Sequence, residues 1–260
     1  MIPSISVIIS SYNQNKSLTE ILSRLTNSST RINEVIIADD GSTPLLEDND
    51  YFVINEQIQK FTFLHHEDRG FRKCKILNEA MKTASSNYIV FLDGDCLPHR
   101  HFVSDHLAMA EKGNFVQGRR CFIHQDKVAC LLDGKTSLTR LMLSGKVSGL
   151  LKSIRLPIPY IKRNKTMYGL LGCNLGAWRD DLLKVNGFDE DYEGWGREDS
   201  DLCARLYNLG IMRKMVYGRA LVYHLNHTEN DREGLKRNDK LLRETLDERK
   251  TRCTNGITKE

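Results

Sequence analysis

The chain has 260 residues, 40% of them hydrophobic, and a formal net charge of +4. That length suffices for a single large domain with a well-buried core, while so small a charge singles out no nucleic-acid partner and no apolar run approaches membrane-spanning length. Seven cysteines, an odd number with no CxxC pair, lie mostly inside apolar patterns, which points to a reduced, cytoplasmic chain rather than a disulfide framework or a zinc site.

The opening stretch MIPSISVIISSYN has no basic leader, and its apolar run breaks at Ser10 and Ser11, so no secretory signal is expected. Ile5 to Ile9 reads as a strand, and Leu18, Ile21, Leu22 and Leu25 recur at helical spacing. Strands follow at Val35 to Ala38 and Phe61 to Leu64. A helix then carries Cys74, Leu77, Ala80, Met81 and Ala84 on one face, and Tyr88 to Leu92 is a strand again. This β-α-β-α-β order predicts an α/β fold with a mostly parallel central sheet flanked by helices. In such sheets ligands bind beyond the carboxyl ends of the strands. Polar residues stand at those ends: Ser11, Tyr12 and Asn13, then Asp39, Asp40, Gly41 and Ser42, then Asp93, Gly94 and Asp95. Each group alone also suits a turn or a helix cap. Three on one sheet edge point to a site, and the absence of GxGxxG and GxxxxGK[ST] argues against a Rossmann dinucleotide site or a P-loop.

The middle, Arg119 to Arg163, is less regular. Between Arg140 and Lys165 there are seven Lys or Arg and no acid, interleaved with Leu, Val and Ile. The pattern suits a segment lying on an anionic membrane surface, and equally a solvated basic face over a small apolar patch. Further on, GFDEDYEGWGREDSDLCARLYNLG ends in a helix with Leu202, Cys203, Leu206 and Leu209 as its apolar stripe. Asp199 falls on that stripe at the first turn and Asp201 on another face; a carboxylate at Glu198 or Asp201 also complements the helix dipole. ALVYHLNH reads as a strand ending in His224 and His227. From Asp231 on, the chain is rich in both charge signs and reads as a peripheral helix with a frayed tail, anchored by Leu235, Leu241, Leu242 and Leu246.

Two acids at the end of a buried strand resist desolvation unless something positive justifies them. Hard oxygen ligands with a nearby imidazole suit Mn²⁺ or Mg²⁺ carrying a diphosphate.

In their order, these residues resemble the GT-A-fold glycosyltransferases of family 2, with a C-terminal half similar to enzymes of the β-1,4-galactosyltransferase and chondroitin-polymerase type. SVIISSYNQ, IIADDGST, DRGFRKCKILNEA, FLDGDC and GCNLGAWRDDLLKVNGFDEDYEGWGREDSDLCARL carry the resemblance, from about Ile5 to His227. It implies a GT-A (nucleotide-diphospho-sugar transferase) domain over 1–230, with a nucleotide-binding half at 1–118 and an acceptor and catalytic half at 119–230 containing the basic segment 140–165. Residues 231–260 would form a charged C-terminal helix and tail. Tyr12 would pack on the uracil, with Ser11 and Asn13 beside it, Asp40 and Asp39 would hold base or ribose, and Arg69 and Arg72 would approach the nucleotide. Asp93, with Gly94, would bind ribose or a metal-bound water, and Asp95 and His224 the metal, with His227 as the alternative. Gly172 and Asn174 would line the donor, Trp195 and Glu198 the acceptor, and Asp199 would be the catalytic base. The chain departs from the family at Ser10, where proline is common, and at Arg197, where the galactosyltransferases have glycine.

The expected activity is inverting, metal-dependent transfer of a hexose or N-acetylhexosamine from a UDP-sugar to a saccharide, lipid-diphosphate-linked, in bacterial surface polysaccharide synthesis. The expected location is cytoplasmic, with peripheral contact at the inner face of the cell membrane. A metal-dependent nucleotidyltransferase, a sugar-nucleotide hydrolase and a non-catalytic sugar-binding protein are the competing readings. Nucleic-acid binding is disfavoured, because the basic stretch lacks interleaved aromatics apart from Tyr160.

Overall fold

The computed structural model describes residues 2–45, 56–227 and 234–259. In chain order its elements are β1 (Ile5–Ser11), α1 (Asn15–Thr26), β2 (Glu34–Asp39), β3 (Phe61–His65), α2 (Lys73–Thr83), β4 (Tyr88–Asp93), β5 (Cys96–Pro98), α3 (Phe102–Met109), β6 (Asn114–Gln117), β7 (Arg119–Ile123), α4 (Gln125–Leu132), α5 (Leu138–Leu143), α6 (Leu150–Ser153), β8 (Tyr160–Asn164), β9 (Asn174–Trp178), α7 (Arg179–Lys184), α8 (Glu198–Asn208), β10 (Met212–Tyr217), β11 (Leu221–Leu225) and α9 (Leu235–Asp247).

The apolar run of β1 is buried along its whole length because helices cover both faces of the sheet it belongs to. Side chains alternate across a strand, so Ile5, Val7 and Ile9 join the core under α1, with Leu18, Ile21, Leu22 and Leu25. Ile8 faces the opposite core, with Ile76, Leu77 and Met81 of α2 and Leu202, Cys203 and Leu206 of α8. Among the described residues the strands form an eight-stranded sheet in the order β3-β2-β1-β4-β9-β6-β10-β8 and a smaller sheet, β5-β11-β7. β3, β2, β1 and β4 are parallel neighbours, as are β6 and β10. β9 lies antiparallel between β4 and β6, and β8 is an antiparallel edge. The expected mostly parallel α/β sheet is therefore present. β5 follows β4 after Gly94 and Asp95, and β7 follows β6 after Gly118, which places the small sheet at the carboxyl ends of the main one.

Two expectations are corrected. The C-terminal tail is not frayed: Asn186 donates from Nδ2 to the carbonyls of Cys253 and Thr258 at 2.8 and 2.9 Å, and Asn255 reaches Asp191 at 2.6 Å. α9 itself is anchored by polar groups as well as by leucines. Buried Asn238 donates to the carbonyls of Glu193 and Gly196, and the buried Thr245 hydroxyl donates to Asp201. Residues 231–233 of the expected tail lie outside the described residues. Asp201, assigned to another face than the buried stripe, is fully buried, because α9 packs over α8 and adds a second covered face. There it pairs with Arg205 at 2.7 Å.

Candidate active site

The carboxyl ends of β1 and β2 form the expected polar edge. Asp39 is a local organiser: it accepts from the backbone and hydroxyl of Ser42 and lies 3.0 Å from the His65 ring. Asp40 differs. Its Oδ2 accepts the Arg72 backbone N–H at 2.6 Å, while Oδ1 is buried without a hydrogen-bond partner. Burial pushes its carboxyl above the usual range, with the Arg72 contact opposing. Tyr12 is half exposed, and its hydroxyl donates to Asp68 at 3.1 Å. Asn13 adopts φ 53° and accepts the Thr43 N–H, clamping β1 to the loop after β2, while the Ser11 hydroxyl is buried and unpartnered. Arg69 is exposed and held by Glu67. Arg72 reaches the Glu67 carbonyl.

At the end of β4 the two aspartates part company. Asp93 accepts at one oxygen, Oδ1, from Lys73 at 2.7 Å and from the Ser10 hydroxyl at 2.9 Å. The departure at Ser10 thus supplies a bond that proline could not make. Gly94 has no room for a side chain: a Cβ would lie 2.7 Å from the Ser10 carbonyl. Asp95 turns the other way and meets His224 and His227, whose Nε2 atoms lie 3.4 and 3.1 Å from its Oδ2. One ligand atom from each of the three lies within 4.8 Å of the others. Both of the alternative histidines join this cluster, and Asp93 stands outside it. Burial opposes charge on Asp95, but hydrogen bonds from the two imidazoles outweigh it and hold the carboxyl well below its ordinary value. One carboxylate oxygen and two imidazole nitrogens fit a divalent transition ion such as Mn²⁺ better than Mg²⁺, which prefers all-oxygen shells.

Across the cleft, the first turn of α8 presents Glu198 and Asp199. The Gly172 N–H donates to Asp199 Oδ2 at 2.7 Å, and a Cβ at Gly172 would lie 2.7 Å from the Asp199 Cβ. Glu198 is buried with an unpartnered Oε2. Burial, then the neighbouring Asp199, push its carboxyl up to about 7 against the pull of Lys73. Arg197 caps this helix at φ 78°, a left-handed conformation that suits the glycine of the related enzymes, and its Nε donates to Asp239 of α9 at 2.6 Å. Trp195 is 40% exposed in the preceding loop. Asn174 is buried, and its side chain is taken up by His106 and the Ala220 carbonyl, which makes it a brace between strands.

Lys73 was missed by the sequence reading, since a cation on the first turn of a helix carries no periodic signal. Burial alone would lower its pKa, but Asp93, Glu198 and Asp199 together hold it above the ordinary lysine value. With Ser10, Gly172 and those three acids it lines a cavity of about 10 Å³, so the end of β4 and the start of α8 meet at one point.

A mostly parallel sheet with acidic strand ends, a carboxylate–imidazole cluster after a DGD turn and, opposite, a buried Glu198 beside a half-buried Asp199 define a GT-A-fold glycosyltransferase. A family model described as "Glycosyl transferase family 2" matches residues 6–163, and one described as "N-terminal domain of galactosyltransferase" matches residues 153–228. The chain belongs to glycosyl transferase family 2. It is 28% identical over 244 residues to the chondroitin synthase of Escherichia coli, which covers 86% of this chain and 35% of that protein. The chain thus spans about a third of the length of that relative. The crystal structure of S. aureus TarS 1-349 in complex with UDP superposes with a TM-score of 0.64 at 18% identity, covering 92% of this chain and 64% of that one. The mannosyltransferase PcManGT from Pyrobaculum calidifontis, in complex with GDP-Man and Mn²⁺, gives 0.56 at 17% identity, covering 88% and 59%. Both likenesses bear on the fold.

Proposed function

We propose that the protein is an inverting, metal-dependent glycosyltransferase that moves a hexose or N-acetylhexosamine from a UDP-sugar to a saccharide acceptor. The observation that carries this reading is the meeting of Asp93, Lys73, Glu198 and Asp199 around one cavity, because transfer needs the donor's strand end and the acceptor's base within one bond's reach. Asp199 takes the proton of the attacking hydroxyl, oriented by the Gly172 N–H. A single base and a single displacement invert the anomeric centre, giving a β-linkage from an α-linked donor. Asp95, His224 and His227 would hold a divalent ion, which supplies charge for the leaving diphosphate. Tyr12 and the free oxygen of Asp40 face the base and ribose in this reading. UDP as the nucleotide is supported by the UDP bound to TarS, and Mn²⁺ by the ion bound to PcManGT.

The acceptor we favour is a lipid-diphosphate-linked saccharide at the cytoplasmic face of the membrane, within bacterial surface polysaccharide synthesis. Its support is the basic segment, where Leu143, Ile158 and Tyr160 are 81%, 83% and 65% exposed among the cations. Arg155 and Arg163 are tied to Asp105 and Glu111, so Lys152 and Lys162 are the cations to reverse in a liposome-binding assay. Unchanged binding to anionic vesicles would remove the membrane from this reading. No described helix is long and apolar enough to cross a membrane.

UDP release from a panel of UDP-sugars with Mn²⁺, with and without a lipid-diphosphate sugar, tests the whole. One donor should give acceptor-stimulated release that Asp95→Ala abolishes. Asp199→Asn should lower turnover by about 10² to 10⁴-fold while donor affinity stays. Release at equal speed without acceptor would mean a hydrolase.

A further inference from the structure

The small sheet places a cation beside the metal cluster that no motif announces. β7 runs parallel to β11, with Arg120 opposite Val222 and Phe122 opposite His224. Cys121 and Ile123 point into the core, so Arg120 and Phe122 stand on the face that carries His224. The Phe122 ring lies 5.3 Å from the His224 imidazole, and the Arg120 guanidinium sits 4.8 Å over Phe122. Its Nη1 points to the thiol of Cys173 at 3.8 Å. Cys173 follows Gly172, which holds Asp199. Contacts thus run from His224 through Phe122 to Arg120, and from Arg120 to Cys173 beside the Gly172 that holds Asp199.

A guanidinium offers five donors and is always charged. Among the described residues Arg120 has no carboxylate partner, and its buried Nε has no hydrogen bond. Arg155 and Arg219 are matched with Asp105 and Arg205 with Asp201, while Arg119, its neighbour on β7, has no carboxylate partner among the described residues and packs against the Tyr217 ring. A weak thiol contact and one aromatic face leave most of the Arg120 fork unused.

We propose that Arg120 binds an oxyanion of the substrates, the β-phosphate of the departing nucleotide. This rests on reading the cleft as that of a UDP-sugar transferase. As the acceptor oxygen bonds to the anomeric carbon and its proton passes to Asp199, the bond from that carbon to the phosphate oxygen breaks. Its electron pair stays on the oxygen. The charge so formed lies between base and metal cluster, where a forked cation binds it in two-point fashion. A carboxylate on an acidic acceptor would offer the same oxyanion chemistry from the opposite side.

Calorimetric titration of UDP and of UMP with Mn²⁺ into the wild type, Arg120→Gln and Arg120→Lys separates these cases, together with initial rates. Arg120→Gln should weaken UDP binding about ten- to a hundredfold and lower kcat, with UMP binding held within about twofold, since UMP lacks the β-phosphate. Arg120→Lys should recover part of the UDP affinity. A variant that merely fails to fold loses UMP as well, and the lysine variant then decides. Unchanged UDP affinity with a raised KM for an acidic acceptor would overturn the leaving-group assignment in favour of the acceptor. No change in either quantity would overturn the site. A wild type that binds neither nucleotide would instead overturn the transferase reading on which the site rests.

Discussion

Lys73 occupies the first position of α2, where the helix dipole opposes a cation and burial opposes any charge. Only the carboxylates around it offset those costs. Lys73→Met should leave three acids facing one another and release Asp93, lowering kcat/KM for the donor by about tenfold or more, and Lys73→Arg should restore part of it. Steady-state kinetics of the three proteins checks this. Glu198 carries a pH signature of its own. Its folded value of about 7 exceeds the ordinary 4.5, so the unfolded chain sheds its proton first and stability falls as pH rises from about 4.5 to about 7. Glu198→Gln should flatten that fall, and urea midpoints at pH 5 and pH 8 measure it. At this scale the placement of Tyr12, Asp40 and Asp95 after apolar strands, and of Asp199 at the opening of a patterned helix, was legible. Ser10, Lys73 and Arg120 were not. Their hydrogen-bond partners lie 83, 20 and 53 residues away in the chain, and no local period encodes such a pairing between elements.

At the scale of elements, β1, β2, β4 and α2 could be read directly from their apolar periods, because two-sided burial or one buried stripe leaves a clear pattern. α8 could be read only in part. Its Leu202, Cys203 and Leu206 stripe faces one core, but a second face, Asp201 and Arg205, is buried under α9. Arg205 also donates from Nη1 to the carbonyl of Gly187 at 2.7 Å, so the ion pair fastens the helix to the loop before it. Removing one partner leaves an unmatched buried charge. Arg205→Ala should therefore cost about 3–5 kcal/mol in urea unfolding, and Asp201→Leu combined with Arg205→Met distinctly less. Equal losses would argue that the pair contributes only through its volume.

For the molecule as a whole, the alternation of strands and helices implied the sheet but not its order. β9 comes from the C-terminal half of the chain, yet it pairs with β4 from Tyr88–Trp178 to Leu92–Asn174 and with β6 at Val116 and Gln117. Nothing in a five-residue NLGAW segment announces an antiparallel strand inserted between two others. Asn78 of α2 adds a second link by exchanging hydrogen bonds with the backbone of Phe188. The two halves should therefore unfold together. Tryptophan fluorescence, from Trp178 on β9 and Trp195 in the loop before α8, and far-UV circular dichroism should give coincident urea transitions. Separate transitions would mean that the halves are independent domains.

The placement of β9 also bears on how such a chain can diversify. Two halves joined end to end could be recombined as modules, as beads on a string are. Here a strand of the second half fills a slot in the first, so an exchanged half would have to bring a matching strand and register with it. Change is then most readily accommodated in the loops outside the sheet, such as the one that carries Trp195, while the woven sheet beneath them stays as it is.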